Sequence, residues 1–283
     1  MIAIDRAGVL IEALPYIREY HDQIIVIKYG GNAMIDENLK KAVIQDVLLL
    51  HLVGIHVVLV HGGGPDISQM LNRVKIPSRF ENGLRITNKE TMDIVQMVLC
   101  GKVNKDLVAL FDGLGVGLSG MDGGLFRALP HKDETKIEYG YVGEIVSVDP
   151  KIVLDVIEKG YIPVVSSVAT GMHENSTYNI NADTAASKLA SALHAKKLIL
   201  LTDVPGLMKD PNDPDTLIRR LKVSQVPPLV MSGIISGGMI PKVECCVEAV
   251  RQGVEKASIL DGRIPHSVLI ELLSDTGIGT MFS

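Results

Sequence analysis

The run Ile24-Ile25-Val26-Ile27 offers no polar side chain to either face, and it stops at Lys28 before Tyr29 and the pair Gly30-Gly31. An apolar run without alternation is what a strand covered on both faces requires, so it predicts a buried parallel strand in an α/β sheet. Lys28 then stands at the strand's carboxyl end, the edge where open α/β sheets bind ligands. Glycines at that edge let backbone N–H groups approach an anion. The pattern returns at residues 55–61, a second apolar run that enters Gly62-Gly63-Gly64-Pro65 directly. Between the two runs, Leu39, Val43, Val47 and Leu50 recur at helical spacing and Gly54 closes the helix. Strand, helix and strand make a right-handed crossover, and Pro65 suits the first turn of the next helix. Two glycine loops, the first preceded by a lysine, therefore lie at one sheet edge, each near the positive end of a helix.

Later segments repeat the alternation. Residues 161–168, 197–203 and 257–261 read as strands, and a helix closed by Gly160 begins after Asp149-Pro150. Residues 77–86 read as irregular extended chain ending in Gly83-Leu84-Arg85. A capping box from Thr87 to Glu90 opens a long helix through Leu110. Arg85, just before that cap, has the planar fork that holds a carboxylate. Gly115 to Gly120 matches G-x-G-x-x-G, yet it lies in a strand and runs on into a hairpin, so it does not predict a dinucleotide site. Residues 125–147 read as antiparallel strands. Asn179, Asn181 and Asp183 crowd the start of an Ala- and Leu-rich helix, more polar groups than one cap needs. Gly237-Gly238-Met239-Ile240-Pro241-Lys242 opens a further helix with a lysine in its first turn. That lysine opposes the helix dipole unless an anion is close. Before the first strand, Val9, Leu10, Ala13, Leu14 and Ile17 share one face of a helix that contains Pro15. This helix either covers a sheet edge or joins subunits.

Composition removes several classes. The 283 residues suffice for one large α/β domain or two lobes, and 47% hydrophobic, 22% charged and 4% aromatic residues suit such a fold. A net charge of -5 gives no footprint for nucleic acid. Cys100, Cys245 and Cys246 form no disulfide framework or C-x-x-C motif and read as reduced packing residues, as in a cytoplasmic protein. No secretory leader or membrane-length apolar run is expected, and no Walker sequence G-x-x-x-x-G-K-[ST] occurs.

Seven motifs occur in one order: Lys28-Tyr29-Gly30-Gly31-Asn32-Ala33-Met34, His61-Gly62-Gly63-Gly64-Pro65, Asn82-Gly83-Leu84-Arg85, Gly140-Tyr141-Val142-Gly143, Tyr178-Asn179-Ile180-Asn181-Ala182-Asp183, Leu201-Thr202-Asp203-Val204 and Gly237-Gly238-Met239-Ile240-Pro241-Lys242. Together they resemble the amino-acid kinase family over nearly the whole chain, and within it the members that phosphorylate N-acetyl-L-glutamate. The resemblance implies a three-layer α/β/α sandwich around a mainly parallel open sheet, with an N-terminal helix. It divides the chain into an oligomerisation helix (1–22), an N-lobe for acetylglutamate (23–180) and a C-lobe for ATP (181–283) on one continuous sheet. The implied reaction is ATP-dependent phosphorylation of the side-chain carboxylate, giving an acyl phosphate, N-acetyl-L-glutamyl 5-phosphate, for arginine biosynthesis, with ATP and Mg²⁺ as cofactors.

By the same resemblance, Lys28 and Lys242 stabilise the transferring phosphoryl group and Asp183 orients both lysines. Gly63, Gly64, Arg85 and Asn179 bind acetylglutamate, with Arg85 on its α-carboxylate. The amides of Gly30, Gly31 and Gly63 meet the phosphate oxygens, and Thr202, Asp203, Gly206, Met208 and Met239 bind the nucleotide. No carboxylate cage for a metal is visible, so Mg²⁺ is expected on phosphates and waters. The N-terminal helix resembles the arm of arginine-inhibited hexameric members, with Tyr16, His266, Glu271 and the turn at Gly277 at the feedback site. The loop at residues 210–215 resembles that of members that bind a PII signalling protein. Three other readings stay open: a kinase for aspartate, glutamate or carbamate, a nicotinamide enzyme, and a non-catalytic arginine sensor.

Overall fold

The computed structural model describes residues 3–34, 36–133, 137–210 and 213–283, without the side chains of residues 3–7, 32 and 33. It is an α/β fold in which eight strands belong to one mainly parallel sheet. The chain divides into two compact units, the first formed by Met1–Ile25, Gly31–Val57 and His194–Ser283, the second by Val26–Gly30 and Val58–Leu193.

In the first unit, Lys197–Thr202 runs parallel to Lys256–Asp261, and Thr280–Phe282 adds antiparallel to the latter. That last strand is absent from the sequence reading, which ends the tail in a glycine turn; three residues are too few to display a period of two. The helix Glu37–Leu52 buries Ala42, Val43, Ile44, Val47 and Leu50, and Asp36 caps it by accepting from the N–H groups of Asn38 and Leu39. Helix Ala3–Tyr20 contains Pro15, and Val9, Leu10 and Ile11 on it are exposed.

In the second unit, His56–His61, Ile162–Ser166 and Gly115–Ser119 are neighbours in parallel. Their apolar runs are buried, as the absence of alternation predicts: Val57, Val58, Leu59, Val60, Val164 and Val165 are at most 1% exposed. A smaller sheet pairs Phe126–Pro130 antiparallel with Gly143–Val148. Three expectations need correction. The stretch at 77–86 holds a small hairpin, Phe80–Glu81 against Leu84–Arg85, which two-residue strands do not announce in sequence. The following helix is capped by Asn88, which accepts from Thr91 N–H, so the cap lies one residue later than Thr87. That helix is also not α throughout: Lys89–Gln96 passes into a π stretch, Met97–Val103, before Asn104–Ala109. None of the three cysteines is part of a disulfide.

Candidate functional site

In the second unit Lys28 ends the strand Ile24–Tyr29 and is only 9% exposed. Its Nζ lies 2.9 Å from Oδ1 of Asp183, in the first turn of helix Ala182–Ala192. Asn181 takes the capping role by accepting from the N–H groups of Asp183 and Thr184, which leaves the Asp183 carboxylate to meet the lysine. Gly30 keeps room for this pair. A Cβ there would stand 2.7 Å from Lys28 Nζ, so a methyl group would push the ammonium off its partner.

The three motifs around Arg85 are laced together by backbone. Thr87 N–H donates to Tyr139 O, Tyr141 N–H to Thr87 O, and Asn179 N–H to Tyr141 O. Gly140 has a φ of 66°, and a Cβ on it would collide with Thr87 O, so the turn demands glycine. Side chains continue the chain of bonds: Asn179 Nδ2 donates to Thr87 Oγ1, which donates to Arg85 O.

Arg85 is 5% exposed, and its guanidinium donates to Gly64 O at 3.0 Å, Ser68 Oγ at 2.9 Å and Ser78 Oγ, lying 4.5 Å over the Phe80 ring. Burial lowers its pKa from the usual guanidinium value. Among the described residues no carboxylate pairs with it, so a buried cation is left with neutral partners. Such a site stabilises an incoming anion. Ser68 and Ser78 escape the sequence reading because an isolated serine has no spacing signal.

Gly63 approaches the buried π stretch. A Cβ there would lie 2.8 Å from Leu99 Cδ2 and 3.2 Å from Val103 Cγ2, so only glycine fits without displacing the core. His61, just before this loop, is fully buried, and burial pushes its imidazole pKa down to about 4. The unfolded chain takes up that proton near pH 6.5, the folded chain only near 4. Stability is therefore fully present above pH 6.5 and falls by roughly 3 kcal/mol as pH drops to about 4. Urea unfolding of wild type and His61→Asn over this range is expected to show that loss in wild type and its absence in the variant.

In the first unit Thr202 ends its strand with its hydroxyl 3.2 Å from Leu260 O and 3.1 Å from Val204 O, which holds the turn that follows. Asp203 is exposed, and its carboxylate lies 2.6 Å from where a Cβ of Gly31 would stand; Gly31, with a φ of 69°, makes that approach possible. Gly206 passes Thr280 equally closely, and Thr280 Oγ1 accepts from Leu207 N–H. Met208 bridges to Leu217. Met239 opens the helix Met239–Arg251, with Lys242 half-buried in its first turn. The side chains of Asn32 and Ala33 in the lysine motif, and Pro211 and Asn212 in the acidic loop, lie outside what the structure describes. Among the described residues no cluster of three or more His, Cys, Asp or Glu could hold a metal, and no helix is long and apolar enough to cross a membrane.

Also in the first unit, Tyr16 donates its hydroxyl hydrogen to Asp275, close in sequence to Gly277. Gly277 has a φ of 59° and leaves no room for a Cβ beside the Glu271 carboxylate. Glu271 is buried and accepts from Lys197 Nζ and Ser258 Oγ, both at 2.8 Å, and from Ile278 N–H at 3.1 Å. Burial favours its neutral form, but the Lys197 charge and these donors outweigh it and hold the carboxyl below its ordinary value. His266 sits apart from this cluster's hydrogen bonds, with Nδ1 2.6 Å from Asp46 Oδ1. Lys197→Met is expected to cost about 3–5 kcal/mol by leaving Glu271 buried without its cation, and a second change, Glu271→Leu, to restore much of it. Urea midpoints of the two variants check this.

Comparison with known proteins adds three likenesses. The pattern of the Amino acid kinase family matches residues 23–261. Acetylglutamate kinase of Clostridium beijerinckii is 59% identical over 280 residues, 98% of each chain, and that of Pelotomaculum thermopropionicum is 54% identical over 288 residues, 98% of this chain and 97% of the other. Among solved structures, N-acetylglutamate synthase from Neisseria gonorrhoeae, complexed with coenzyme A and N-acetyl-glutamate, matches with a TM-score of 0.85 at 25% identity. The match covers 98% of this chain but only 63% of the synthase.

Proposed function

The chain belongs to the amino acid kinase family, and from that premise we propose that it transfers the γ-phosphoryl group of ATP to the side-chain carboxylate of N-acetyl-L-glutamate. The observation on this chain that carries the acceptor is Arg85, a buried guanidinium whose described partners are all neutral. The substrate's α-carboxylate supplies the missing anion.

The chemistry asks little of acid–base groups. A side-chain carboxylate of ordinary pKa, ~4.3, is already ionised at neutral pH, so its oxygen attacks the γ-phosphorus without a base. The bond to the β-phosphate oxygen breaks, and the products are the acyl phosphate and ADP. Nucleophile and γ-phosphate repel one another, so positive charge and alignment carry the catalysis. Lys28 and Lys242 fill that role, the amides of Gly30, Gly31 and Gly63 bind phosphate oxygens, and Asp183 orients the lysines. Gly64 and Asn179 join Arg85 at the acceptor, while Thr202, Asp203, Gly206, Met208 and Met239 hold the nucleotide. Mg²⁺ would be held by the nucleotide's phosphates and water and would neutralise phosphate charge.

Incubation with ATP and hydroxylamine tests the reading directly, because an acyl phosphate is trapped as a hydroxamate. The expected result is hydroxamate with N-acetyl-L-glutamate and none with aspartate, glutamate or carbamate. The absence of product with acetylglutamate would overturn the assignment.

The proposal extends to a cytoplasmic place in arginine biosynthesis, feedback inhibition by arginine at Tyr16, His266, Glu271 and Gly277, and a hexamer joined through the N-terminal helix. The exposed Val9, Leu10 and Ile11 support a buried role for that helix in an oligomer. A chain beginning at Gln23 is expected to lose both the hexamer and arginine sensitivity in light scattering and inhibition assays. Retention of both would rule the arm out. The loop around Asp210 and Asp215 would dock a PII signalling protein.

A further inference from the structure

The glycine loop that follows His56–His61 is held from behind by a buried polar chain that the roles above do not use. It begins at Asn104, 1% exposed at the start of helix Asn104–Ala109. Its Nδ2 lies 2.8 Å from Val164 O and 3.2 Å from Leu118 O, on two adjacent strands, while its Oδ1 accepts from Lys105 Nζ at 3.1 Å. Two carbonyls on one side and a lysine on the other fix which end of the amide is nitrogen. Gly117 belongs to this arrangement, because a Cβ there would overlap both Asn104 Oδ1 and Lys105 Nζ. The G-x-G-x-x-G match thus has a packing cause at its second glycine.

The same Nδ2 lies 3.1 Å from His61 Nε2. An amide nitrogen accepts no hydrogen bond, so Nε2 carries no proton toward it; with two hydrogens for three acceptors, Nδ2 shares one between Nε2 and Leu118 O, and the imidazole proton is on Nδ1, facing Gly62 O. Nδ1 lies 2.8 Å from Gly62 O and donates to it. The Gly62–Gly63 peptide, like every other among the described residues, is trans, so the Gly62 C=O and the Gly63 N–H point in opposite directions across one planar unit. Whatever fixes the carbonyl therefore fixes the amide.

We infer that His61 and Asn104 are positioning residues that aim the Gly63 N–H at the transferring phosphoryl group. The inference rests on the kinase reading above. His61 touches no substrate in this scheme; it acts by holding Gly62 O, and Asn104 acts by selecting the His61 tautomer.

Two substitutions separate this role from packing. In His61→Asn the side-chain amide nitrogen takes the position of Nδ1 and keeps the bond to Gly62 O. In His61→Gln the amide reaches the position of Nε2 and loses that bond. Removal of one preorganised donor costs about 10²–10³ in kcat, and a misdirected donor is a partial removal. His61→Gln is expected to lose roughly ten- to hundredfold in kcat with little change in KM for acetylglutamate, and His61→Asn to stay within about fivefold of wild type despite the larger void it leaves. Activities that instead follow melting temperatures would reduce His61 to a core residue and overturn the inference. A measurement on the unaltered protein decides the matter even if a variant fails to fold: ¹⁵N-histidine NMR is expected to show His61 protonated at Nδ1, and a proton on Nε2 would overturn the scheme. Wild-type protein that makes no hydroxamate overturns the kinase reading and this inference together. Active wild type matched in kcat by His61→Gln overturns the inference alone.

Discussion

Lys28→Ala is expected to lower kcat by about 10²–10³, a loss of ~2.7–4 kcal/mol in transition-state stabilisation, with a much smaller change in KM for acetylglutamate. The size follows from the site. Lys28 is nearly buried and its ammonium is held 2.9 Å from Asp183, so the charge is in place before substrate arrives and little reorganisation accompanies transfer. In the proposed reaction its effect would be greatest where negative charge spreads over the transferring oxygens, which would make this a kcat residue. Lys242→Ala is expected to fall in the same range. Asp183→Asn keeps a polar group at the same position and should cost less than either lysine. Steady-state hydroxamate assays check all three, and wild-type turnover in either lysine variant would refute its role.

Arg85→Lys is expected to raise KM for acetylglutamate by about ten- to a hundredfold while leaving kcat within a few fold. A hydrogen bond to a charged group contributes ~1.5–3 kcal/mol, and lysine has no planar fork with which to repeat a two-point contact. Lysine also cannot span Gly64 O, Ser68 and Ser78 together, so the loop around the site loosens as well. The expected split in kinetic effect distinguishes the two proposed roles: the cation at 28 would act on the transition state and the one at 85 on ground-state binding. A change in kcat alone for Arg85→Lys would contradict the assignment to the α-carboxylate.

The buried strands were legible because residues 24–27, 56–61 and 197–202 carry no polar face, a signal that survives without neighbours. The Asn179, Asn181 and Asp183 group was legible as more than a cap, and the structure separates its members: Asn181 caps, Asp183 meets Lys28, and Asn179 bonds to Thr87. What the sequence withheld is contact between distant segments. No spacing rule joins Asn104 to His61, Ser68 to Arg85 or Thr280 to Leu207, since each pair is made by tertiary packing. The short pairings at 80–85 and 280–282 lack the length that periodicity needs. Local propensity also cannot forecast the π stretch, because the residues of Met97–Val103 read as ordinary helix formers interrupted by one glycine.

That stretch decides where Asn104 faces. Successive residues of an α-helix are about 100° apart around the axis, and a π turn takes one residue more than an α turn to close. The wider turns of Met97–Val103 therefore act as a phase shift between Lys89–Gln96 and Asn104–Ala109. Were the same residues wound as α throughout, the following turn would swing by about 100°, taking the Asn104 amide away from Val164 and Leu118 without altering one atom of the side chain.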